Sequence, residues 1–192
     1  MRRVLPLVVL VCVLTGCLSP VSQPEIRTWL VSCDAASLTK LPEKFALARL
    51  SQVTVRDPYA SSQFAVLRGG GQVAFDYYNR FPISPALLLK NPSLEILRES
   101  GVFSGVVEAS SSARTDVSIE IRVSKLALDF TKGASEPAYA CVTLDVALLD
   151  SRDQRLIAAH EGVAEVAVEK DCYAMAFSTA YTKALLQTLT GL

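Results

Sequence analysis

The chain has few groups whose type and spacing could do chemistry. Ser37-Leu38-Thr39-Lys40 has the Ser-x-x-Lys spacing with which a lysine amine activates a serine in acyl-serine enzymes. The Ser-Asp-Asn and Lys-Thr-Gly segments that complete such sites are absent from the sequence. Gly69-Gly70-Gly71 could cradle an anion through its backbone N–H groups. No Lys-Ser/Thr follows it, and apolar runs flank it on both sides, which reads instead as a hairpin turn. His160 is the only histidine, which excludes a His-rich metal site. It alternates with Leu156, Ala158, Ala164 and Val166 on one side of a strand, the position of a packed structural histidine rather than a base. Glu161, Glu165 and Glu169 recur every fourth residue. On a strand they share one face about 13 Å apart, too far for an acid/base pair. These patterns argue against an enzyme, and no metal or cofactor is expected.

The sharper signal is Cys17. Met1-Arg2-Arg3 is basic, residues 4–14 are apolar, and Leu14-Thr15-Gly16-Cys17 follows. This is the layout of a secretory signal peptide whose apolar core is too short to span a bilayer. The tetrapeptide resembles a bacterial lipobox, in which the cysteine thiol receives diacylglycerol, the chain is cut before it, and the new amino group is acylated. The alternative is an ordinary signal peptide with a chance cysteine. Residues 1–16 are thus expected to be the signal, residues 17–24 the lipidated cysteine and a Pro/Ser-rich tether, and residues 25–192 a single domain. Cleavage removes two arginines and leaves 176 residues with 17 basic and 19 acidic groups, net −2. That balance carries no footprint of nucleic-acid binding. Leu18 stands where an aspartate would retain an enterobacterial lipoprotein at the inner membrane, so the expected destination is the inner leaflet of the outer membrane, facing the periplasm.

Cys33, Cys141 and Cys172 would then sit in an oxidising compartment. Cys141 points away from the apolar side of its strand, whereas Cys33 shares a face with Trp29, so the favoured disulfide is Cys33–Cys172.

The elements that must position these groups are legible from period. Residues 26–33 read as a first strand with Trp29, Val31 and Cys33 on one face, and residues 45–55 as a second. Residues 64–68 and 72–78 form the hairpin. Ser84-Pro85 opens a helix, serine as N-cap and proline in the first turn. Asn91-Pro92 either kinks it or restarts it with Asn91 as the new cap. Val117, Ile119, Ile121 and Val123 alternate at odd positions, then Leu126, Leu128 and Phe130 at even ones, which predicts a β-bulge at Ser124-Lys125. Residues 142–148 and 156–168 are strands joined by a turn, and residues 172–189 are a helix. The expected fold is α+β: a two-layer α/β sandwich in which a mostly antiparallel sheet is covered by two helices.

The middle of the chain carries a family pattern. Gln52-Val53-Thr54-Val55 leads through Asp57-Pro58-Tyr59 into the hairpin, and Arg80-Phe81-Pro82-Ile83-Ser84-Pro85-Ala86-Leu87 opens the helix that runs to Leu97 and Gly101-Val102-Phe103. This resembles the ABC-type transport auxiliary lipoproteins, partners of the MCE-domain systems that move lipids between bacterial membranes. Phe81 stands where that family usually has tryptophan, no leucine follows Tyr59, and Asn91-Pro92 interrupts the helix. The resemblance implies a non-catalytic lipoprotein that docks to an MCE protein served by an ABC permease and ATPase, and assembles as a homo-oligomeric ring. The rival reading is an assembly lipoprotein of another envelope complex, such as a lipopolysaccharide-export or secretion channel. Tyr77, Tyr78, Phe81 and Ile83 are the candidate surface for lipid or partner contact. Phe81 also reads as a hydrophobic staple onto the helix that follows.

Overall fold

The computed structural model describes residues 24–33, 38–131, 138–169 and 172–192. The signal segment, Cys17, most of the tether and Ser37 lie outside them. The molecule is organised on β6 (Val117–Asp129), whose alternating apolar side chains bury one face. β7 (Tyr139–Asp150) runs antiparallel along its whole length, and β8 (Leu156–Ala167) pairs antiparallel with β7. The opposite edge of β6 is shared. β2 (Phe45–Val55) pairs with its first half in parallel, reaching Val123, and β3 (Gln63–Arg68) pairs with its second half, starting at Ala127. The expected bulge is present, as a register shift between Val123 and Lys125. It falls where β6 changes partner from β2 to β3.

Each branch gains further strands. β5 (Phe103–Glu108) lies parallel to β2. β4 (Gln72–Arg80) lies antiparallel to β3, joined by a turn in which Gly70 and Gly71 take φ of 79° and 77°, open to glycine without strain. β1 (Arg27–Thr28) lies parallel to β4. The eight-stranded sheet is therefore mixed, not mostly antiparallel. Alternation of apolar residues reports which face is buried and is silent about strand direction. Direction comes from the connections, here the helical segment that carries the chain from β4 across to β5, which runs parallel to β2.

The helices lie on the apolar face. α1 (Pro85–Leu88) starts at Ser84, whose carbonyl, not its hydroxyl, accepts from Leu87 and Leu88. α2 (Lys90–Glu99) follows after a break at Leu89. Pro92 has no N–H to give the Leu88 carbonyl, so the hydrogen-bond ladder is interrupted there and restarts with Leu89, not Asn91, in the flanking position. α3 (Tyr173–Gly191) buries Phe177, Ala180, Tyr181, Ala184 and Leu185 against Val142, Leu144, Val146 and Leu148 of β7. The other face of the sheet exposes Thr54, Arg122 and Glu161.

The first expected strand is mostly something else. Only Arg27 and Thr28 join the ladder. The Trp29 N–H still donates to the Arg80 carbonyl at 2.9 Å, and the chain beyond it leaves the sheet and crosses α3. Trp29 meets Tyr173 edge-on at 5.5 Å, the Ser32 N–H donates to Ser178 Oγ at 3.0 Å, and Thr182 Oγ1 donates to Cys33 Sγ at 3.9 Å.

Candidate functional site

The Tyr77–Ile83 segment begins in an irregularity of β4. Gln63 pairs with Arg80, yet its neighbour Phe64 pairs with Asp76, so Tyr77, Tyr78 and Asn79 are left over as a bulge. The Asp76 carboxylate holds it. Oδ1 accepts the backbone N–H groups of Tyr78 and Asn79 at 2.8 and 3.1 Å, and Oδ2 accepts Asn79 Nδ2 at 2.8 Å. Asn79 Oδ1 in turn accepts Trp29 Nε1 at 2.9 Å, which ties the bulge to the segment crossing α3. An aspartate that caps its own loop in this way substitutes for the lost ladder bonds. The result is two tyrosines turned outward, 63% and 42% exposed, with ring centroids 5.3 Å apart.

Phe81 does not belong to this surface. It is 3% exposed, its N–H donates to the Ser62 carbonyl at 2.7 Å, and its ring packs on Phe64 at 4.7 Å and Phe177 at 5.5 Å. It is a core residue, and the rings it meets belong to β3 and α3 rather than to the helix that follows it, as a staple would require. Ile83 is exposed, as the tyrosines are. Ile26, Leu30 and Leu87 are exposed as well and were not singled out from the sequence. A signal for the first two existed: with Trp29 and Val31 facing the core, Ile26 and Leu30 fall out of phase with the buried side.

A second, polar cleft of about 820 Å³ opens where β6 begins, between the segment after β5 and the turn after β7. Three arginines line it, but Arg49 is consumed internally: its guanidinium donates to the carbonyls of Ala109, Ser111 and Ala113 and holds that segment in place. The hydroxyls pair with one another, Ser51 with Ser118 and Thr115 with Ser151. Arg49 is a structural residue that sequence reasoning did not flag.

The cysteines do not form the expected bridge. Cys172 begins α3, while Cys33 lies beside Thr182 ten residues along that helix. Ten residues of helix rise about 15 Å, more than twice the Cα separation of about 7 Å beyond which two cysteines cannot be joined. The expectation treated residues 26–33 as a strand in the sheet, whereas their last residues run along the helix. Cys141 is buried on the face without helices, opposite Glu165. Burial pushes its thiol up to about 11, reinforced by the charges of Glu165 and Asp129 and opposed by Lys125. A thiol held protonated is a poor nucleophile.

The remaining motifs resolve into packing. Gly69-Gly70-Gly71 is a hairpin turn. His160 abuts the end of α3, where a Cβ added to Gly191 would lie 2.8 Å from His160 Nδ1. Glu161, Glu165 and Glu169 are exposed.

No family model and no curated protein matches this sequence. Solved structures share its fold. The chain is similar to protein XCC0632 from Xanthomonas campestris, of family DUF330, at 16% identity over 87% of this chain and 90% of that one, TM-score 0.58. It is similar to a second crystal structure, of an uncharacterized protein, at 18% identity over 80% and 93%, TM-score 0.58. The hypothetical protein CT253 from Chlamydia trachomatis aligns at 8% identity over 77% and 95%, TM-score 0.50. At such identities the likeness is one of fold: the mixed sheet with helices on one face recurs in unrelated-looking sequences.

Proposed function

We propose that the protein is a lipid-anchored envelope lipoprotein that serves, without catalysis of its own, as an accessory component of an ABC/MCE-type lipid-transport system. It is anchored through Cys17 in the inner leaflet of the outer membrane and docks to the periplasmic MCE protein. The observation that carries the anchoring is the Leu14-Thr15-Gly16-Cys17 tetrapeptide directly after a basic and apolar segment. Three acyl chains on one cysteine, at about 0.8 kcal/mol per buried CH₂, would hold the body on a membrane almost permanently. The transport role is supported by the motif run from Gln52 to Phe103, whose parts fold as a strand, a turn, a hairpin and a proline-opened helix, as the resemblance implies. A binding role rather than a reaction is supported by the way the reactive groups are spent: His160 in packing, Arg49 on carbonyls, Cys141 held protonated.

Mass spectrometry of the mature N-terminus tests the anchor, and an unmodified start at any residue other than Cys17 overturns it. A pull-down from solubilised membranes tests the partner. Recovery of an MCE protein with its permease and ATPase is the expected result. Recovery of a different envelope complex in their place would move the protein to the assembly reading.

A further inference from the structure

We propose that the edge of the sheet formed by Ile26, Leu30, Tyr77 and Tyr78, with Ile83 just beyond it, rests in the headgroup region of the membrane that holds the anchor. This inference rests on the reading of Cys17 as lipidated and specifies which face of the body meets the bilayer.

Four observations converge on it. The first is position. β1 lies parallel to β4 with Arg27 opposite Asn79, which sets Ile26 beside Tyr78 and carries Leu30 past Arg80. Ile83, 47% exposed, follows Arg80 by three residues, within roughly 10 Å. Exposed apolar side chains scattered singly are ordinary, but a group of them drawn together marks a contact surface.

The second is construction. The two tyrosines are outside because Asp76 and Asn79 build a hydrogen-bonded bulge that puts them there. A regular strand would have turned adjacent residues to opposite faces. The third is the tether. The described chain starts at Pro24, two residues before Ile26. Cys17 is seven residues before Pro24, at most roughly 25 Å away when extended. The face nearest the anchor is therefore this one.

The fourth is chemistry. Tyrosine, with an apolar ring and a polar tip, favours the membrane–water interface. Arg27 and Arg80 lie in the same edge, balanced by Glu25 at its margin and by the Asp76 carboxylate in the bulge, so it presents no net charge that anionic headgroups would repel. The far edge of the sheet, β8, exposes Glu161 and Glu165, which anionic lipid would repel. The body is thus polarised across its width, aromatic and charge-balanced where the tether enters and acidic on the opposite side.

The test uses the full chain, purified with its anchor and reconstituted into phosphatidylethanolamine/phosphatidylglycerol vesicles with or without brominated acyl chains. The chain has one tryptophan, Trp29, as a constant background. A second is introduced by Tyr77→Trp or, as an independent position, Ile83→Trp, and at the far edge by Val163→Trp. The expected result is quenching of the added indole by bromolipid at least about twofold greater at 77 and 83 than at 163. Equal quenching at all three positions, in protein whose Cys17 mass spectrometry shows to be acylated, overturns the inference and leaves the anchor standing. Protection at 77 and 83 from aqueous iodide without bromolipid quenching also overturns it, by showing that a second copy of the chain covers the edge. Protein that carries no acyl groups and does not associate with vesicles overturns the anchor reading and this inference with it.

Discussion

Two edges of the branched sheet solve opposite problems with the same kind of strand. Under α3, β7 and β8 are packed so closely that the helix backbone approaches the strand itself: a Cβ placed on Gly162 would lie 2.0 Å from the Ala184 carbonyl oxygen. At the other edge, β4 runs out beyond β3, and a carboxylate and an amide hold a loop of it open to solvent. One edge is specified by what side chains leave out, the other by what they hydrogen-bond. The lesson is that burial and exposure are both engineered here, and that exposed aromatics on a deliberately held bulge have a different meaning from exposed aromatics on a frayed end.

The largest effect should come from filling the gap that the packed edge depends on. Gly162→Ala sets a methyl group into the backbone of α3, which cannot yield as a flexible side chain would. We expect a loss of about 3 kcal/mol or more, read as a lowered urea midpoint. A loss below about 1 kcal/mol would mean that helix and strand are not in close contact, and the contrast between the edges would fail.

Next in size is Phe81→Ala. Phe81 joins the two regions in sequence, four residues from Tyr77, yet it is core: it completes a cluster with Phe64 and Phe177. Truncating a buried phenylalanine costs about 3–5 kcal/mol. The same measurement on Tyr77 provides the contrast.

A smaller and more discriminating pair lies where α2 meets α3. Ser93 Oγ donates to the Leu89 carbonyl at 2.6 Å and accepts from the Tyr181 hydroxyl at 2.6 Å. Tyr181 is fully buried, and burial raises its ionisation above the ordinary tyrosine range, with the Ser93 bond acting the other way. Ser93→Ala would strand that hydroxyl in an apolar setting and cost about 2 kcal/mol. Tyr181→Phe leaves Ser93 still bonded to Leu89 and costs about 1 kcal/mol. The order of the two, compared by thermal denaturation, is the prediction. The reverse order would mean that water reaches the pair.

How much of this was legible in the sequence follows from what period encodes. The β6 bulge was readable because a phase shift from odd to even positions has no other explanation in a strand with one buried face. The α3 face was readable because Phe177, Tyr181, Ala184 and Leu185 recur at helical spacing, and the hairpin because three glycines separate two apolar runs. β5 was not, since Phe103-Ser104-Gly105-Val106 is short and breaks alternation. Parallel pairing of β2 with β6 was not, because nothing local in Val53-Thr54-Val55 depends on the direction of its neighbour. The Cys33–Cys172 pairing failed for a related reason: alternation placed residues 29–33 correctly toward the core but could not tell a strand in the sheet from a segment lying across a helix. The tyrosine bulge was half legible. Tyr77 and Tyr78 read as apolar surface, but the Asp76 and Asn79 side chains that turn both outward act through bonds that no periodicity records.

The weakest effects are expected at that bulge, and they separate its scaffold from its surface. Asp76→Ala removes the acceptor for two backbone N–H groups and the Asn79 amide. Because these donors can turn to water, the cost is about 1 kcal/mol. Tyr77→Ala removes a ring that is mostly in solvent already, and should change stability by less than about 0.5 kcal/mol. If Tyr77→Ala destabilised the protein by as much as Phe81→Ala, the ring would be packing against this chain, and its exposure could not be attributed to an outside partner. If instead stability is untouched by Tyr77→Ala while membrane contact is lost, the side chain is kept for something other than the fold. Asp76→Ala should then reproduce that loss of contact with both tyrosines still present, because it is the shape of the bulge, set by the carboxylate, that presents them.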